Sequence, residues 1–554
     1  MSPLPILAIA LAIVLTGVLA FRLHAFLTLI VAALAVAALT PRDAIERYEL
    51  ARDAVRIDSV SADGSQASAL ARRGALRDGV EYGIFRLEPG APPLRVGSAT
   101  VAIAGSPGVE STLSIDMRDP GTDAAGAWVA TPTTAAAAAR AAGETIGQRV
   151  AQGFGRTALD IGIIIAMASI LGGCLMAARG AERIVVSLRR ALGPSRTPLA
   201  FLGSGFLLGI PMFAEAVFYL LLPLAKAMWL EARRHYVLFV LAIVAGATMT
   251  HSLVPPTPGP LFVADAMGVD IGLMIRQGMI VAAVAAVVGY AYAVYADRRW
   301  GFALRPTVGD GPPTPAAADD AGRLPPLILS LFPILLPVVL ISANSALGSS
   351  TAGLPSMVVT VIGVFGDKNL ALTISAAAAL ALLVAYPDRR ATGSHAERVR
   401  RTVRDSIVEA GEIILIIAAG GALGATLRQA GMAELAAATV PEQRLMLLPI
   451  AWGITALVRV AQGSATVAMI TAVGIVGPIA LASQLPYHPV YVALAIGAGS
   501  KIGMWMNDSG FWVISRMSGM TEAETLKTAS VMVFIEGCAG LLATMVLAIA
   551  WPLL

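Results

Sequence analysis

Two long apolar stretches in the second half of the chain are each interrupted by small and polar residues. The first reads RVAQGSATVAMITAVGIVGP and is broken at residues 462–466, and the second reads YVALAIGAGSKIGMWMNDSGFW and is broken at residues 507–510. Backbone groups released at such breaks must be satisfied by protein, water or ligand, because lipid offers no hydrogen-bond partner. Interrupted spans of this kind are typical of the binding sites of membrane transporters.

The first half of the chain contains the same arrangement. Residues 201–226 form an apolar stretch broken at GIP, with Glu215 beside the break, and a following span ends in HSLVPPTPGP. When the two halves are aligned, Glu215 falls beside Val467, and residues 255–260 fall on residues 507–512. An internal repeat of this length determines the architecture and takes precedence over local features.

The composition is that of a membrane protein. The chain of 554 residues is 57% apolar and 14% charged, whereas a soluble domain carries about 25% charged residues. The net charge of +4 comes from loop arginines, and no basic stripe is interleaved with aromatic residues. We therefore expect a polytopic protein surrounded by membrane lipid, with no nucleic-acid partner.

The motifs of enzymes and of ATP-driven pumps are missing. The sequence has no Walker A motif, no GxSxG elbow, no HExxH pair and no Cys/His cluster with ligand spacing. Its two cysteines, Cys174 and Cys538, both lie in apolar spans, where we expect them to be packing residues. The sequence therefore predicts a protein that is not an enzyme, with no catalytic residues, no metal and no cofactor.

Two apolar spans at 1–40 precede a segment of different composition at 41–150. That segment is charged, is punctuated by Gly and Pro, and contains alternating pieces such as PLRVGSATVAIAG that are typical of strands. We interpret it as a small β-rich soluble insertion. The remaining parts are a first transport unit at 151–296 with a hairpin at 198–226, a linker at 297–323, a second pair of scaffold spans at 324–386, and a second transport unit at 387–554 with a hairpin at 446–483.

Loop charge predicts the orientation, because short loops rich in Lys and Arg stay in the cytoplasm. The basic loops are residues 179–196, 233–235, 298–305 and 389–404. All four lie on the cytoplasmic side of the membrane only if the amino terminus is outside and the short segment 354–366 does not cross the membrane. The insertion 41–150 is then extracytoplasmic, and the linker 297–323 is cytoplasmic. Each half contributes five spans and one re-entrant hairpin, so the second copy is inverted. The predicted fold is an all-α polytopic membrane protein with two inverted repeats, plus the β-rich insertion.

Three ionisable residues beside the breaks are candidates for proton coupling: Glu215, His251 and Asp508. A charged residue near the bilayer centre costs about 2.5–3.5 kcal/mol on insertion scales, so its presence there is a functional-site hypothesis. Each residue also has a structural interpretation. Glu215 can reach water at the mouth of its hairpin, Asp508 can cap the helix FWVISRM, and His251 can be a satisfied polar residue.

Gly463, Ser464 and Thr466 lie at the tip of the second hairpin, where a half-helix begins. Exposed N–H groups and the positive end of the helix dipole would bind an anionic group there, although small residues also allow close helix packing. Two cations, Arg459 and Lys501, lie near this tip. Either can pair with a substrate carboxylate, form an ion pair with one of the two carboxylates beside the breaks, or extend to the membrane interface.

Uncharged polar side chains beside the breaks suit the hydroxyl groups of a small substrate. They are Ser252 and Thr257 at the first break, and Asn507 and Ser509 at the second. Three further carboxylates fall near the ends of predicted spans, where a position at the membrane interface is expected. They are Asp160, Glu409 and Glu412.

Six motifs together resemble one known family. In chain order they are GFGRTALDIGIIIAMASILGG, PMFAEAVFYLLLPLA, THSLVPPTPGP, GDKNLAL, QGSATVAMITAVGIVGP and NDSGFWVISRMSGMTEAETLKT. They resemble the gluconate:proton symporter, or gluconate permease, family over residues 1–40 and 150–554, whereas the insertion is outside the family pattern. The resemblance implies import of gluconate or a related sugar acid with protons. It also implies an elevator movement and a homodimer in the bacterial inner membrane.

Departures from the family pattern leave the coupling ion and the substrate open. The family often has a histidine where this chain has Thr257 and another where it has Trp505 or Met506, and Lys501 is an extra cation. The second interpretation is therefore sodium-coupled transport of a carboxylate or of an amino acid such as D-serine. A third is a membrane sensor that uses the insertion 41–150 as its ligand domain.

Overall fold

The computed structural model divides the chain into two compact units. One is formed by Met1–Val14, Ile30–Gly153 and Ala422–Thr439, and the other by Leu15–Leu29, Phe154–Gly421 and Val440–Leu554. The residues that the structure describes are 3–19, 21, 23–57, 59–61, 66–70, 80–88, 90–103, 110–117, 126–193, 196–232, 234–302, 304–305, 324–349, 355–386, 394–431, 444–483, 485–506 and 508–553. Most of the predicted linker 297–323 lies outside them.

Helices dominate the described residues. Those of the first half are α1 (Pro3–Leu19), α2 (Ala25–Leu39), α3 (Arg42–Asp53), α4 (Pro132–Gly143), α5 (Ile146–Ala177), α6 (Gly180–Leu192), α7 (Thr197–Leu208), α8 (Ala214–Ala232), α9 (Tyr236–Leu253), α10 (Pro258–Ala266) and α11 (Ile271–Trp300). Those of the second half are α12 (Leu327–Ser349), α13 (Ser356–Phe365), α14 (Lys368–Ala385), α15 (His395–Gln429), α16 (Leu447–Gln462), α17 (Ala465–Ala482), α18 (Val490–Gly499), α19 (Ser509–Ser518), α20 (Glu522–Thr525) and α21 (Val531–Ala550), with a π-helical turn at Leu526–Ser530 before α21.

Several helical segments are long and apolar enough to cross a membrane, since a span needs about 20 residues to cover about 30 Å of hydrocarbon. In the described part of the chain there are 7, namely Ile146–Ala177, Tyr236–Ala266, Ile271–Trp300, Leu327–Leu347, Lys368–Ala385, His395–Gln429 and Glu522–Ala550. By length and composition, they confirm the prediction of a multi-pass membrane protein.

The first unit contains an antiparallel sheet in the order β1-β7-β4-β5-β6-β3-β2. Its strands are β1 (Val55–Arg56), β2 (Ser59–Val60), β3 (Gln66–Leu70), β4 (Glu81–Arg86), β5 (Leu94–Ile103), β6 (Glu110–Met117) and β7 (Trp128–Ala130). The pairing register sets Val129 opposite both Ile84 and Val55, and all three side chains are buried. Apolar side chains therefore form a row across three neighbouring strands, and this row is part of the core of the sheet.

In the second unit, the first hairpin packs closely on the helix that follows it. A Cβ added at Gly205 of α7 would lie 2.7 Å from the Ile243 carbonyl of α9, and one added at Gly246 of α9 would overlap the Leu202 carbonyl. Glycine at both positions lets the two backbones approach each other directly. This packing places the end of α7, and with it the start of α8, beside α9.

The first predicted break is present between α9 and α10. The Thr257 hydroxyl binds the carboxyl end of α9, since its Oγ1 lies 2.8 Å from the His251 carbonyl oxygen and 2.7 Å from that of Val254. The break contains Pro255 and Pro256, which have no N–H to donate. The carbonyl groups at the end of α9 are thus partly satisfied by a side chain, as a buried helix end requires.

The second predicted break is longer than the sequence indicated. α18 already ends at Gly499, and α19 begins at Ser509. Gly503 within the break has a φ of 78°, in the left-handed region that favours glycine. Asp508 is the N-cap of α19, since its Oδ1 accepts a hydrogen bond from the Gly510 N–H at 2.8 Å. The polar residues 507–510, from which the break was predicted, therefore lie at its carboxyl end, where α19 begins.

The tip of the second hairpin lies between α16 and α17. Gly463 has a φ of 77° and ends α16, and the Ser464 side chain accepts a hydrogen bond from the Val467 N–H at 3.4 Å. In both α5–α11 and α15–α21, a long helix is followed by a two-helix hairpin, a broken helix pair and a last long helix, whereas α6 and α20 have no described counterparts. The internal repeat and the inversion of its second copy stay predictions. Segment α13 has 10 residues, which rise only about 15 Å, so it is too short to cross the membrane.

Candidate functional site

A cavity of about 500 Å³ lies in the second unit where both hairpins meet the second break. Its walls come from the start of α8, from α9 and α15, from the tip between α16 and α17, and from residues around α19. The ionisable and hydroxyl side chains that line it are Glu215, Tyr219, Thr248, His251, Glu409, Glu412, Arg459, Ser464, Thr466, Lys501 and Asp508. Its volume is within the range of about 300–1,000 Å³ that is usual for small-molecule sites.

A buried ion pair forms one part of this cavity. Arg459 and Asp508 are only 5% and 3% exposed, and Arg459 Nη2 donates a short hydrogen bond to Asp508 Oδ2. Asp508 therefore both caps α19 and holds the guanidinium of α16. This resolves one alternative left open by the sequence, which allowed Arg459 either carboxylate as its partner.

Arg459 has unused hydrogen-bonding capacity. Its Nε and Nη1 groups are buried and have no partner among the described residues. A guanidinium presents five N–H donors in a planar fork that suits a carboxylate, and a buried donor without a partner is costly. The residue is thus suited to bind a second anion in addition to Asp508.

Lys501 is the second cation of the cavity. It is 5% exposed, and within the described ranges its ammonium group makes no hydrogen bond and has no carboxylate within salt-bridge distance. Its charge interacts at longer range with Glu215, Asp508 and Glu536. A buried ammonium group requires a compensating charge. Among the described residues of the cavity wall, two cations are thus buried, and one carboxylate, that of Asp508, forms a buried ion pair.

Glu215 lies in the first turn of α8 and is half-buried in the cavity wall. Among the described residues it makes no hydrogen bond or ion pair, and its Oε1 lies 3.2 Å from the place that a Cβ on Gly510 would occupy. Glycine at 510 therefore allows the start of α19 to approach this carboxylate. The same cavity thus brings together Glu215 and Asp508, as predicted from their positions beside the breaks.

Two cavity carboxylates were not expected there. Glu409 and Glu412 line the cavity from α15, and Glu412 Oε1 is 3.3 Å from His24 Nε2. The sequence predicted that both lie near the end of a span. The helix begins at His395 instead, so both carboxylates lie well inside it.

The cavity includes six of the ten residues proposed from the sequence for substrate or proton binding: Glu215, His251, Gly463, Ser464, Thr466 and Asp508. His251 packs against Phe213 with 5.3 Å between ring centroids, and its Nδ1 has no partner among the described residues. Thr257 lines a smaller neighbouring cavity of about 80 Å³, and Ser252 is fully buried. Asn507 and the side chain of Ser509 lie outside what the structure describes.

The sequence analysis missed Glu536. This residue of α21 is 0% exposed, and its Oε2 lies 2.9 Å from Oγ1 of Thr248, which lines the cavity. The signal in the sequence is a single carboxylate in the apolar run VMVFIEGCAGLLA. An ionisable residue inside a span is a functional-site hypothesis even without a neighbouring break.

The sequence profile of the GntP family permeases matches residues 127–550 of this chain. The chain belongs to the GntP permease family. This GntP permease is 32% identical over 424 residues to a gluconate permease of Pseudomonas aeruginosa, an alignment that covers 73% of this chain and 88% of the relative. It is 30% identical over 393 residues to the Gnt-II system L-idonate transporter of Escherichia coli, covering 71% and 87%.

Among solved structures, the permease is similar to the YdaH transporter of Alcanivorax borkumensis, with 17% identity and a TM-score of 0.45 over 73% of this chain and 88% of the other. These values are too low to support an inference about this protein. The family assignment confirms the resemblance found in the sequence, and it confirms that the protein is a permease and not an enzyme. The profile begins at residue 127, so most of the segment 41–150 lies outside the match.

Proposed function

We propose that this GntP permease imports gluconate, or a related small hydroxylated carboxylate, across the bacterial cytoplasmic membrane together with protons. The proposal rests on one observation. A single cavity contains two buried cations, Arg459 with unpartnered N–H donors and Lys501 with no ion-pair partner among the described residues, beside the amino end of α17. The names of relatives as gluconate and L-idonate transporters support a sugar acid as the substrate.

The carboxylate of the substrate binds at the tip of the second hairpin. Ser464 is the N-cap of α17, and Thr466 lies in the first turn of this helix of 18 residues. Free N–H groups and the positive end of the helix dipole favour an anion at this position. Arg459 adds charge-assisted hydrogen bonds, and Lys501 adds a second positive charge.

The hydroxyl groups of the substrate bind around the second break. Asn507 and Ser509 adjoin Asp508 in the sequence and have side chains that both donate and accept hydrogen bonds. Thr257 contributes less than its sequence position suggested, because its hydroxyl is engaged by two backbone carbonyls. Glu215 is available to accept hydrogen bonds from hydroxyl groups within the cavity.

Proton coupling follows from the charge of Glu215. An ionised carboxylate in the cavity repels an anionic substrate, and a proton on that carboxylate removes the repulsion. Proton and substrate therefore favour each other's binding. Of the three residues proposed from the sequence, Asp508 is committed to Arg459, and His251 packs against Phe213, whereas Glu215 has no such partner.

The site is tested by measuring the affinity of the purified permease for gluconate, glucose and D-serine by isothermal titration calorimetry. We expect gluconate to bind and glucose, which lacks the carboxylate, not to bind measurably. Ser464→Leu should abolish gluconate binding, because the leucine removes the cap and fills the space of the anion. Ser483→Leu at the other end of α17 is the matched control and should leave the affinity unchanged. Equal affinity for glucose and gluconate would contradict an anion site.

A further inference from the structure

We propose that Glu536 is a proton-binding site of the transport cycle, connected to the cavity through the hydroxyl group of Thr248. The proposal rests on the proton coupling proposed above and extends it to a residue behind the cavity wall. Glu536 belongs to α21 and is fully buried, whereas Thr248 belongs to α9 and lines the cavity. The carboxyl group is therefore one side chain away from the substrate.

The surroundings of Glu536 accommodate its carboxyl group closely. A Cβ added at Gly289 of α11 would overlap Oε1 of Glu536, so glycine at this position leaves room for the carboxyl group between the two helices. Oε1 has no hydrogen-bond partner among the described residues. An ionised carboxylate with an unpartnered oxygen is far more costly to bury than a neutral carboxyl group.

The two hydrogen-bond contacts of the Thr248 hydroxyl favour a proton on the Glu536 carboxyl group. Oγ1 of Thr248 lies 2.8 Å from the Val244 carbonyl and 2.9 Å from Oε2 of Glu536. A hydroxyl group has one hydrogen, and a carbonyl group can only accept. Thr248 can donate fully to Val244 and still bind Glu536 only if Oε2 carries a proton and donates it to the threonine oxygen. A protonated Glu536 satisfies both contacts, whereas with an ionised Glu536 the single threonine hydrogen serves only one of them.

Among the described residues, Lys501 after α18 is a cation whose charge acts on this carboxyl group. His251 in α9 and Arg459 in α16 are the other ionisable groups that line the cavity from helices packed against α21. The charged groups of α11 and of the π-helical turn point elsewhere. Arg276 lies over the Trp551 ring, Arg299 and Lys527 lie over the Trp300 ring, Asp297 binds His235, and Arg298 is exposed. Lys501 is therefore the partner available to an ionised Glu536.

This arrangement links the proton to the substrate. With Glu536 protonated, the charge of Lys501 is free to attract an anionic substrate. When the proton leaves Oε2, the Thr248 hydroxyl first turns from the Val244 carbonyl towards the cavity; its hydrogen then passes to water while the Thr248 oxygen takes the proton of Oε2, and a carboxylate remains. That carboxylate compensates the charge of Lys501, so the substrate is held less strongly. Release of the proton and release of the anion are thus coupled.

The test is Glu536→Gln, which keeps the shape of the protonated side chain but cannot release a proton. In proteoliposomes, we expect gluconate exchange to persist, whereas accumulation driven by a pH gradient falls to the level of protein-free vesicles. The pH dependence of the gluconate affinity should also become weaker, because Glu215 is then the remaining proton site. Thr544→Val, which removes another buried hydroxyl from α21, is the control and should behave as the wild type. Wild-type accumulation by Glu536→Gln overturns the proposal.

Infrared difference spectroscopy provides a second measurement that does not depend on transport. The wild type should show the carbonyl-stretch band of a buried protonated carboxyl group, Glu536→Gln should lack it, and Thr248→Val should shift it because a hydrogen bond is lost. An unchanged band in Glu536→Gln overturns the assignment. If the wild type fails to accumulate gluconate under a pH gradient, the proposed function is wrong, and the infrared band still decides whether Glu536 holds a proton.

Discussion

Arg459→Gln is expected to abolish gluconate transport and to destabilise the folded permease. Gluconate affinity should fall about 100-fold, equivalent to about 2.8 kcal/mol, because the guanidinium provides charge-assisted hydrogen bonds to the carboxylate. Stability should fall by about 3–5 kcal/mol, because Asp508 then remains buried without its cationic partner. The two effects are measured by titration calorimetry and by thermal unfolding in detergent.

A double variant separates binding from folding. In Arg459→Gln/Asp508→Asn both charges are absent, and asparagine is still able to cap α19 as Asp508 does. We therefore expect the thermal stability to return most of the way to that of the wild type, while the gluconate affinity stays as low as in Arg459→Gln. Recovery of gluconate affinity in the double variant would show that Arg459 stabilises the fold and does not bind the substrate.

Glu215→Gln is expected to separate exchange from accumulation. Glutamine resembles the protonated carboxyl group, so gluconate should still exchange across the membrane, but a pH gradient should no longer drive its accumulation above equilibrium. The reason is that a glutamine carries no charge for a proton to remove. The measurement is uptake of radiolabelled gluconate into proteoliposomes, once with gluconate on both sides and once with acid outside.

The matched control is Glu522→Gln, which removes a carboxylate that pairs with Arg516 outside the cavity lining. It should accumulate gluconate as the wild type does. If Glu215→Gln also concentrates gluconate with the normal pH dependence, Glu215 does not couple proton and substrate. Glu536 or His251 would then have to account for the coupling alone.

Much of the site was predictable because its breaks have local causes. Proline lacks an N–H, and glycine adopts left-handed conformations, so Pro255, Pro256 and Gly463 favour the helix breaks at which they lie. Ser464 and Asp508 are N-cap residues in the structure, as their residue types favour. The residue types alone therefore predicted the tip of the second hairpin and the start of α19.

The pairing of charges was not predictable, because it depends on how distant segments pack. Arg459 and Asp508 are 49 residues apart, and the sequence offered Glu215 as an equal partner. The start of the second break at Gly499 was missed for a similar reason. A Cβ at Gly499 would overlap the Trp452 carbonyl of α16. This glycine therefore allows the end of α18 to approach α16 closely, a tertiary contact that is not visible in the sequence.

Glu536 and Glu409 show two further limits. Glu536 lies in an uninterrupted apolar run, so the helix breaks did not indicate it as a site residue. Its complete burial nevertheless makes it a candidate functional residue. Glu409 lies well inside α15 because the strongly basic amino-terminal part of this helix continues it back to His395. Polar residues at a helix end can extend the helix beyond the membrane instead of terminating it.

The most direct test of the account is uptake of gluconate by the wild-type permease in proteoliposomes under imposed ion gradients. With acid outside and equal sodium on both sides, gluconate should accumulate above equilibrium, and a protonophore should abolish the accumulation. A sodium gradient at equal pH should have no effect. Accumulation under the sodium gradient but not under the pH gradient would contradict proton coupling, and absence of gluconate transport under both would contradict the proposed substrate.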